Sequence, residues 1–253
     1  MDMGFVLKIF ALKNCNMQIN ICESYESLSL KAKNIIVSEL SRHKDLMLCA
    51  ATGSSPTKMY ELFVDEAKTN PELFSELTLI KLDEWGNLPM NNEGTCESYI
   101  QKYLIRPLGI PKERYIAFQS KPENPEQECL RVQKTLEAKG PIDICILGIG
   151  VNGHIALNEP SDYLDADCHV AYLTKESLKH PMLADSDEKP LYGITLGMAN
   201  IMQSKLIILL ISGTKKREIA KKLFDKRITT TLPASLLWLH PHVICLIDKE
   251  AAG

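Results

Sequence analysis

Leu147-Gly148-Ile149-Gly150-Val151-Asn152-Gly153-His154-Ile155-Ala156-Leu157-Asn158-Glu159-Pro160 is the stretch on which the reading of this chain turns. An apolar run, Ile142 to Leu147, stops at a glycine turn, and a histidine and a glutamate follow closely. The run reads as a buried strand and the glycines as the turn that ends it. Ligands of open α/β sheets sit just outside the carboxyl ends of strands. His154 and Glu159 are therefore expected to face something small and polar. Histidine alone is weak evidence, since many are satisfied structural groups. Here Asn152 and Gly153 make a tight, exposed turn, and Glu159 can orient or charge the imidazole.

Outward from this stretch, apolar runs alternate with amphipathic ones. Strands are expected at Leu46 to Ala51, Leu77 to Leu82, Ile142 to Leu147, Leu206 to Ile211 and Val243 to Ile247. Helices are expected over Ser29 to Arg42, Pro56 to Lys68, Cys96 to Leu104 (ended by Pro107), Glu123 to Gly140 and Lys215 to Phe224. Strands alternating with helices imply β-α-β crossovers, hence an α/β fold with a mostly parallel sheet and helices on both faces. No repeat or linker divides the chain, so residues 1–253 read as a single domain. The charged, proline-bearing stretch 161–190 is expected to be a lid within it.

Composition narrows the function classes. The chain has 253 residues, 45% of them hydrophobic, enough for a sizeable core. With 29 basic and 32 acidic residues the net charge is −3, so no global field favours nucleic acid or an anionic membrane. Eight cysteines show no C-x-x-C pair and no zinc-like spacing with histidine, so no metal site is expected. Cys49, Cys145 and Cys245 lie inside apolar runs, where a free thiol is a small hydrophobe. Reduced cysteines fit a cytoplasmic protein. The run Phe5 to Leu12 is broken by Lys8 and reads as neither signal peptide nor membrane span. A homo-oligomer stays open.

Three further strand ends carry chemistry. Thr52-Gly53-Ser54-Ser55-Pro56 lies between a strand and a helix, where backbone N–H groups and the helix dipole form an anion pocket. Taken alone it reads equally as a capped helix start. Ser212-Gly213-Thr214-Lys215-Lys216 repeats the arrangement. Lys215 stands at the wrong end of a helix dipole unless an anion shares the site. Two such turns favour a phosphorylated small molecule. Lys81-Leu82-Asp83-Glu84-Trp85-Gly86 ends another strand. Neighbouring strand side chains point opposite ways, so one carboxylate can reach the crevice while the other faces structure. A carboxylate there can serve as a general base.

Together these residues resemble the glucosamine-6-phosphate deaminase/isomerase family, within the larger group shared with 6-phosphogluconolactonases. The resemblance runs from about Ser29 to Ile247. It is carried by Ala51 to Pro56, Leu82 to Trp85, Cys96-Glu97-Ser98-Tyr99, Gly148 to Pro160 and Ser212 to Lys215. Gly193 to Gly197 and Pro233 to His240 look closest to the galactosamine-6-phosphate branch. The resemblance implies a Rossmann-like fold, no cofactor, and conversion of an amino-sugar 6-phosphate to a ketohexose 6-phosphate plus ammonia. It implies that Asp83 moves the proton between C2 and C1, that His154 opens the pyranose ring, and that Glu159 is its carboxylate partner. It assigns the phosphate cradle to Thr52, Gly53, Ser54, Ser55 and Lys215.

The chain departs from the family pattern in three places. Asn152 stands where an aspartate is common, leaving Glu159 as the carboxylate that stabilises an imidazolium and lowering the expected pKa of ring opening. The phosphate-site arginine of the segment near Lys175 to Leu183 has no counterpart, and His180 or Lys179 is the expected substitute. The sequence ends soon after the last strand, so allosteric activation through a C-terminal extension is not expected. Two other functions compete: a 6-phosphogluconolactonase, which transfers no proton at C2, and a non-catalytic sugar-phosphate sensor, for which no recognition helix is evident.

Overall fold

The computed structural model describes residues 17–175, 177–184 and 188–253. The Phe5 to Leu12 run and Cys15 lie outside the described residues, as does part of the 161–190 stretch.

Seven parallel strands form the main sheet in the order β1-β10-β9-β6-β2-β3-β5. They are β1 (Met17–Cys22), β2 (Met47–Ala50), β3 (Thr78–Lys81), β5 (Tyr115–Ile116), β6 (Ile144–Gly148), β9 (Leu206–Ile211) and β10 (Val243–Asp248). The chain runs outward from β2 to β3 and β5, then returns to β6 on the other side of β2. The carboxyl ends of β2 and β6 therefore border the crevice where strand order reverses, the usual ligand site of an open α/β sheet. Central strands are apolar throughout because both faces are covered. In β9, Ile207, Leu209 and Ile211 pack into one core, and Ile208 and Leu210 into the other.

Helices α1 (Tyr25–Arg42), α2 (Ser54–Thr69) and α3 (Cys96–Ile100) cover the second of these faces through Leu28, Ile36, Phe63 and Ile100. A π-helical turn over 101–105 carries α3 into α4 (Arg106–Leu108), so Pro107 lies inside the helical run rather than ending it. Helices α5 (Pro125–Lys139), α6 (Met198–Met202), α7 (Arg217–Phe224) and α8 (Lys249–Ala252) cover the first face, with Val132, Ile201, Leu223 and Ala251 in its core. Helix α1 begins four residues before the expected Ser29, because Ser24 caps it: its Oγ accepts from Ser27 N–H and its own N–H reaches Ser27 Oγ.

The sequence reading missed a second sheet. Strands β4 (Asp83–Gly86), β8 (Tyr192–Thr195) and β7 (His169–Ala171) pair antiparallel in the order β4-β8-β7. The expected strand Leu77 to Leu82 is found as β3, and after Leu82 the stretch read as its end, Asp83 to Gly86, forms a further strand paired with β8 in the second sheet. A small core of Trp85, Leu88, Cys96, Leu157, Ala171 and Leu183 packs at this sheet. Stretch 161–190 is thus partly built into the fold: it supplies β7 and the buried Ser177 and Leu183.

Candidate active site

Four strand ends converge on the crevice. After β2, Gly53 takes φ +104° as the N-cap of α2, a conformation that favours glycine. No side chain caps α2, which leaves the first N–H groups, including those of Ser54 and Ser55, open to an anion. The Gly53 carbonyl accepts from Thr57 Oγ1 at 2.8 Å and Tyr99 Oη at 2.9 Å, fixing the turn. His180 stands beside it: a Cβ on Gly53 would lie 3.6 Å from His180 Nε2.

His180 caps a short 3₁₀ turn, its Nδ1 accepting from Met182 N–H at 3.3 Å. Its ring tilts against Trp85 at 5.7 Å between centroids. Burial first, then the charges of His154 and Lys216, push its pKa down to about 4. It is neutral near pH 7, and with Nδ1 accepting, its proton sits on Nε2, facing the anion turn. Lys179 is exposed.

After β9, Gly213 has φ +83° and its N–H is held by both carboxylate oxygens of Asp248, at 3.0 and 3.2 Å. Lys215 is exposed. The lysine turned inward is Lys216: its Nζ donates to Ile149 O at 2.6 Å, and burial lowers its pKa. The structure brings Lys216, not Lys215, towards His180 and the β6 turn. The sequence signal for both was the same basic pair, and a one-residue difference in helix phase separates them.

Beyond β6 the turn closes through Gly153 N–H to Gly150 O at 2.9 Å and Gly150 N–H to His154 O at 3.0 Å. The His154 ring lies over Gly150, where a Cβ would come within 2.4–2.5 Å of three ring atoms. Glu159 Oε2 accepts from Asn152 Nδ2 at 2.8 Å and lies 3.4 Å from His154 Nδ1. That nitrogen is buried without a well-aligned hydrogen-bond partner, so the contact with Glu159 is an ion-pair approach rather than a formed hydrogen bond. Glu159 Oε1 accepts from Ser177 Oγ and, at 3.3 Å, from Thr174 Oγ1. Burial works to raise the Glu159 pKa, but His154, Ser177 and Asn152 outweigh it and hold the group below the ordinary carboxylate range. Ser177 and Thr174 come from the 161–190 stretch and carried no signal in the sequence.

Asp83 and Glu84 divide as strand alternation expects. Glu84 is fully buried and takes Lys81 Nζ at 2.6 Å and the N–H groups of Trp85, Cys96 and Glu97 at 2.8–2.9 Å. It thereby caps α3 and neutralises a buried lysine that also reaches Glu97 Oε2 at 2.7 Å. Asp83 is 8% exposed, and its pKa is pushed up to about 6, by burial first and then by the Glu84 charge. The Cys96 thiol, His154 and Lys81 pull the other way. Among the described residues no group of three or more His, Cys, Asp or Glu side chains is placed to hold a metal ion. No described helix is long and apolar enough to cross a membrane.

A carboxylate near neutrality beside a histidine–glutamate pair, next to an anion turn, suits proton transfer on a phosphorylated sugar. The glucosamine-6-phosphate isomerase/6-phosphogluconolactonase family matches residues 23–245. The chain belongs to that family. It is 37% identical to a glucosamine-6-phosphate deaminase of Alkaliphilus metalliredigens (strain QYMF), over 93% of this chain and 98% of the relative. It is 36% identical to AgaI of Escherichia coli (strain K12), a deaminase by provisional designation, over 89% of this chain and 90% of the relative. The solved structure of a monomeric glucosamine-6-phosphate deaminase superposes with a TM-score of 0.88 at 32% identity, covering 93% of this chain and 99% of that one. A 6-phosphogluconolactonase from Trypanosoma brucei superposes at 0.73 with 19% identity over 94% of this chain and 98% of its own, a likeness of fold alone. The Rossmann-like α/β architecture expected from the sequence is the one observed.

Proposed function

We propose that the chain is an amino-sugar-6-phosphate deaminase/isomerase that turns galactosamine 6-phosphate, or glucosamine 6-phosphate, into a ketohexose 6-phosphate and ammonia. The observation that carries this reading is Asp83, a buried carboxylate just beyond β3, the neighbour of β2. It reaches the anion turn through Cys96 and Thr52, and its pKa, pushed up to about 6 by burial, responds to the charge of His154. A lactonase hydrolyses an ester and has no use for a second base at C2. The deaminase relatives are also 36–37% identical, against 19% for the lactonase.

In this reading the phosphate sits on the Thr52-Gly53-Ser54-Ser55 turn, with Lys216 and neutral His180 Nε2–H as side-chain donors. Phosphate binding supplies remote energy that holds C1 and C2 against Asp83. His154, backed by Glu159 and Asn152, moves the proton between O1 and the ring oxygen as the pyranose opens. Asp83 takes the C2 proton and returns it to C1. Water adds at C2, and the amino group leaves as ammonia. Stretch 161–190 supplies Ser177 to the histidine–glutamate pair and His180 to the cradle, so it takes part in both halves of the site.

The test is ammonia release from each amino sugar, with C2 deuterium exchange in heavy water. Release with exchange supports the reading, and the faster sugar fixes the branch. Hydrolysis of 6-phosphogluconolactone without ammonia release would replace it.

A further inference from the structure

Cys96 has no part in the family chemistry described above, yet it touches two elements of the site. It opens α3, is 1% exposed, and its own N–H is held by Glu84 Oε1 at 2.9 Å. Its Sγ lies 3.7 Å from Asp83 Oδ1 and 3.4 Å from Thr52 Oγ1. We propose that Cys96 is a positioning residue whose thiol links the Asp83 carboxylate to Thr52 on the anion turn, so that phosphate occupancy and the readiness of the base are coupled. The inference rests on Asp83 being the base.

Hydrogen-bond inventory sets the direction of the link. Burial, then the Glu84 and Asp83 charges, hold the Cys96 thiol well above its ordinary pKa. It therefore keeps its single proton and is no nucleophile. Ionised Asp83 can only accept, so the S–H points to Asp83 and the sulfur accepts from the Thr52 hydroxyl. The chain runs Thr52 O–H to Cys96 sulfur, then Cys96 S–H to Asp83. Each bond polarises the next. When phosphate fills the turn, the Thr52 hydroxyl has a charged acceptor available and turns from the sulfur. The S–H then becomes a poorer donor and the carboxylate a stronger base, at the moment C2 is in place.

Other charged and titratable groups also face Asp83. They are Glu84 on its own strand, Lys81 on β3, His154 beyond β6, Cys49 on β2 and Tyr60 on α2. The Tyr60 hydroxyl is committed to Ala51 O at 2.8 Å. Cys96 differs from all of these in also bonding the phosphate turn.

The experiment is the pH dependence of kcat/KM and kcat for ammonia release from galactosamine 6-phosphate and glucosamine 6-phosphate. It compares wild type with Cys96→Ala, Cys96→Ser and Asp83→Asn. Loss of the S–H donor in Cys96→Ala should move the acid limb of kcat/KM up by about half a pH unit. It should also narrow the gap between the kcat and kcat/KM limbs. Cys96→Ser, which keeps a donor, should return the limb to the wild-type position or below. A Cys96→Ala limb at the wild-type position, with only a lower melting temperature, would reduce Cys96 to a space-filler. If the alanine variant does not fold, a serine limb above the wild-type one overturns the proposal. An active Asp83→Asn enzyme would instead remove the base reading itself, whatever Cys96 does.

Discussion

Asn152 Nδ2 donates to Glu159 Oε2 at 2.8 Å, the same oxygen that lies 3.4 Å from His154 Nδ1. An aspartate at position 152 could still accept from His154 N–H, as Asn152 Oδ1 does at 3.2 Å, but it could not donate to Glu159. It would add a second negative charge beside the imidazole and free Oε2 for Nδ1. Asn152→Asp should therefore favour the imidazolium and move the ring-opening limb of the pH–rate profile upward, by about one pH unit. An unmoved limb would disprove the role given to Asn152.

In the proposed reaction Asp83 is the base, and its ionisation comes at the expense of stability. Its pKa rises from 3.8 to about 6 on folding. The folded state thus binds more protons between those values, and the Asp83 contribution to stability falls as pH rises through that window. Above pH 6 the cost is fully present. Asp83→Asn removes it, and should raise stability at pH 8 by up to about 3 kcal/mol, an advantage that vanishes below pH 4. The same variant should lose about 10²-fold or more in ammonia release. Melting curves at pH 4 and pH 8, read with the activity, check both halves. Equal stability gain at both pH values would mean that the carboxylate charge is not what costs the fold.

Much of this was legible in the chain, and the missing parts share a cause. The parallel strands announce themselves because both faces are buried and the runs are apolar throughout. The β4-β8-β7 sheet does not: Tyr192-Gly193-Ile194-Thr195 is short and half polar, and its partners lie far away in sequence. The candidate site residues near strand ends, such as Gly53, Asp83 and His154, follow from local pattern. Ser177 and Thr174 reach Glu159 only through tertiary folding of the 161–190 stretch. Lys215 and Lys216 are alike in composition, and helix phase decides which one turns inward. Strand alternation separates Glu84 from Asp83 but does not say which of them turns to structure; the partners of Glu84, Lys81 and the α3 N-terminus, are set by burial.

The two lysines give a clean contrast. Lys216 is drawn inward to Ile149 O, whereas Lys215 is exposed. A charged hydrogen bond to phosphate is worth about 1.5–3 kcal/mol, or roughly ten- to a hundred-fold in affinity. Lys216→Ala should raise KM for the sugar phosphate by that factor, and Lys215→Ala should leave it within about two-fold. Steady-state kinetics on both variants decides. The reverse order would return Lys215 to the cradle.

Gly150 is where a single methyl group should separate chemistry from binding. A Cβ there would stand 2.4–2.5 Å from three atoms of the His154 ring, far inside van der Waals contact. The imidazole must then leave its place beside Glu159, while the anion turn on β2 and α2 is untouched. Gly150→Ala should lower kcat by about 10²-fold with KM little changed. A rise in KM with kcat preserved would mean that His154 binds substrate rather than opening its ring.

Glu84 acts on Asp83 in the opposite sense to Cys96. Its charge helps to hold the Asp83 pKa high, and its oxygens cap α3 and neutralise Lys81. Glu84→Gln keeps the shape but removes the charge. Lys81 is fully buried, and after the change its carboxylate partner is Glu97, at 2.7 Å. Removing one member of a buried charge pair costs about 3–5 kcal/mol, and the surviving Glu97 contact puts this variant at or below the lower end. Lys81, then offset by Glu97 alone, and the lost Glu84 charge both favour ionised Asp83. The acid limb of kcat/KM should therefore move down, below pH 6, in a protein that melts at lower temperature. A downward limb in Glu84→Gln and an upward one in Cys96→Ala would together locate the limb on Asp83. If both moved the same way, the limb would belong to another group, and the assignment of Asp83 as the base would fail with it.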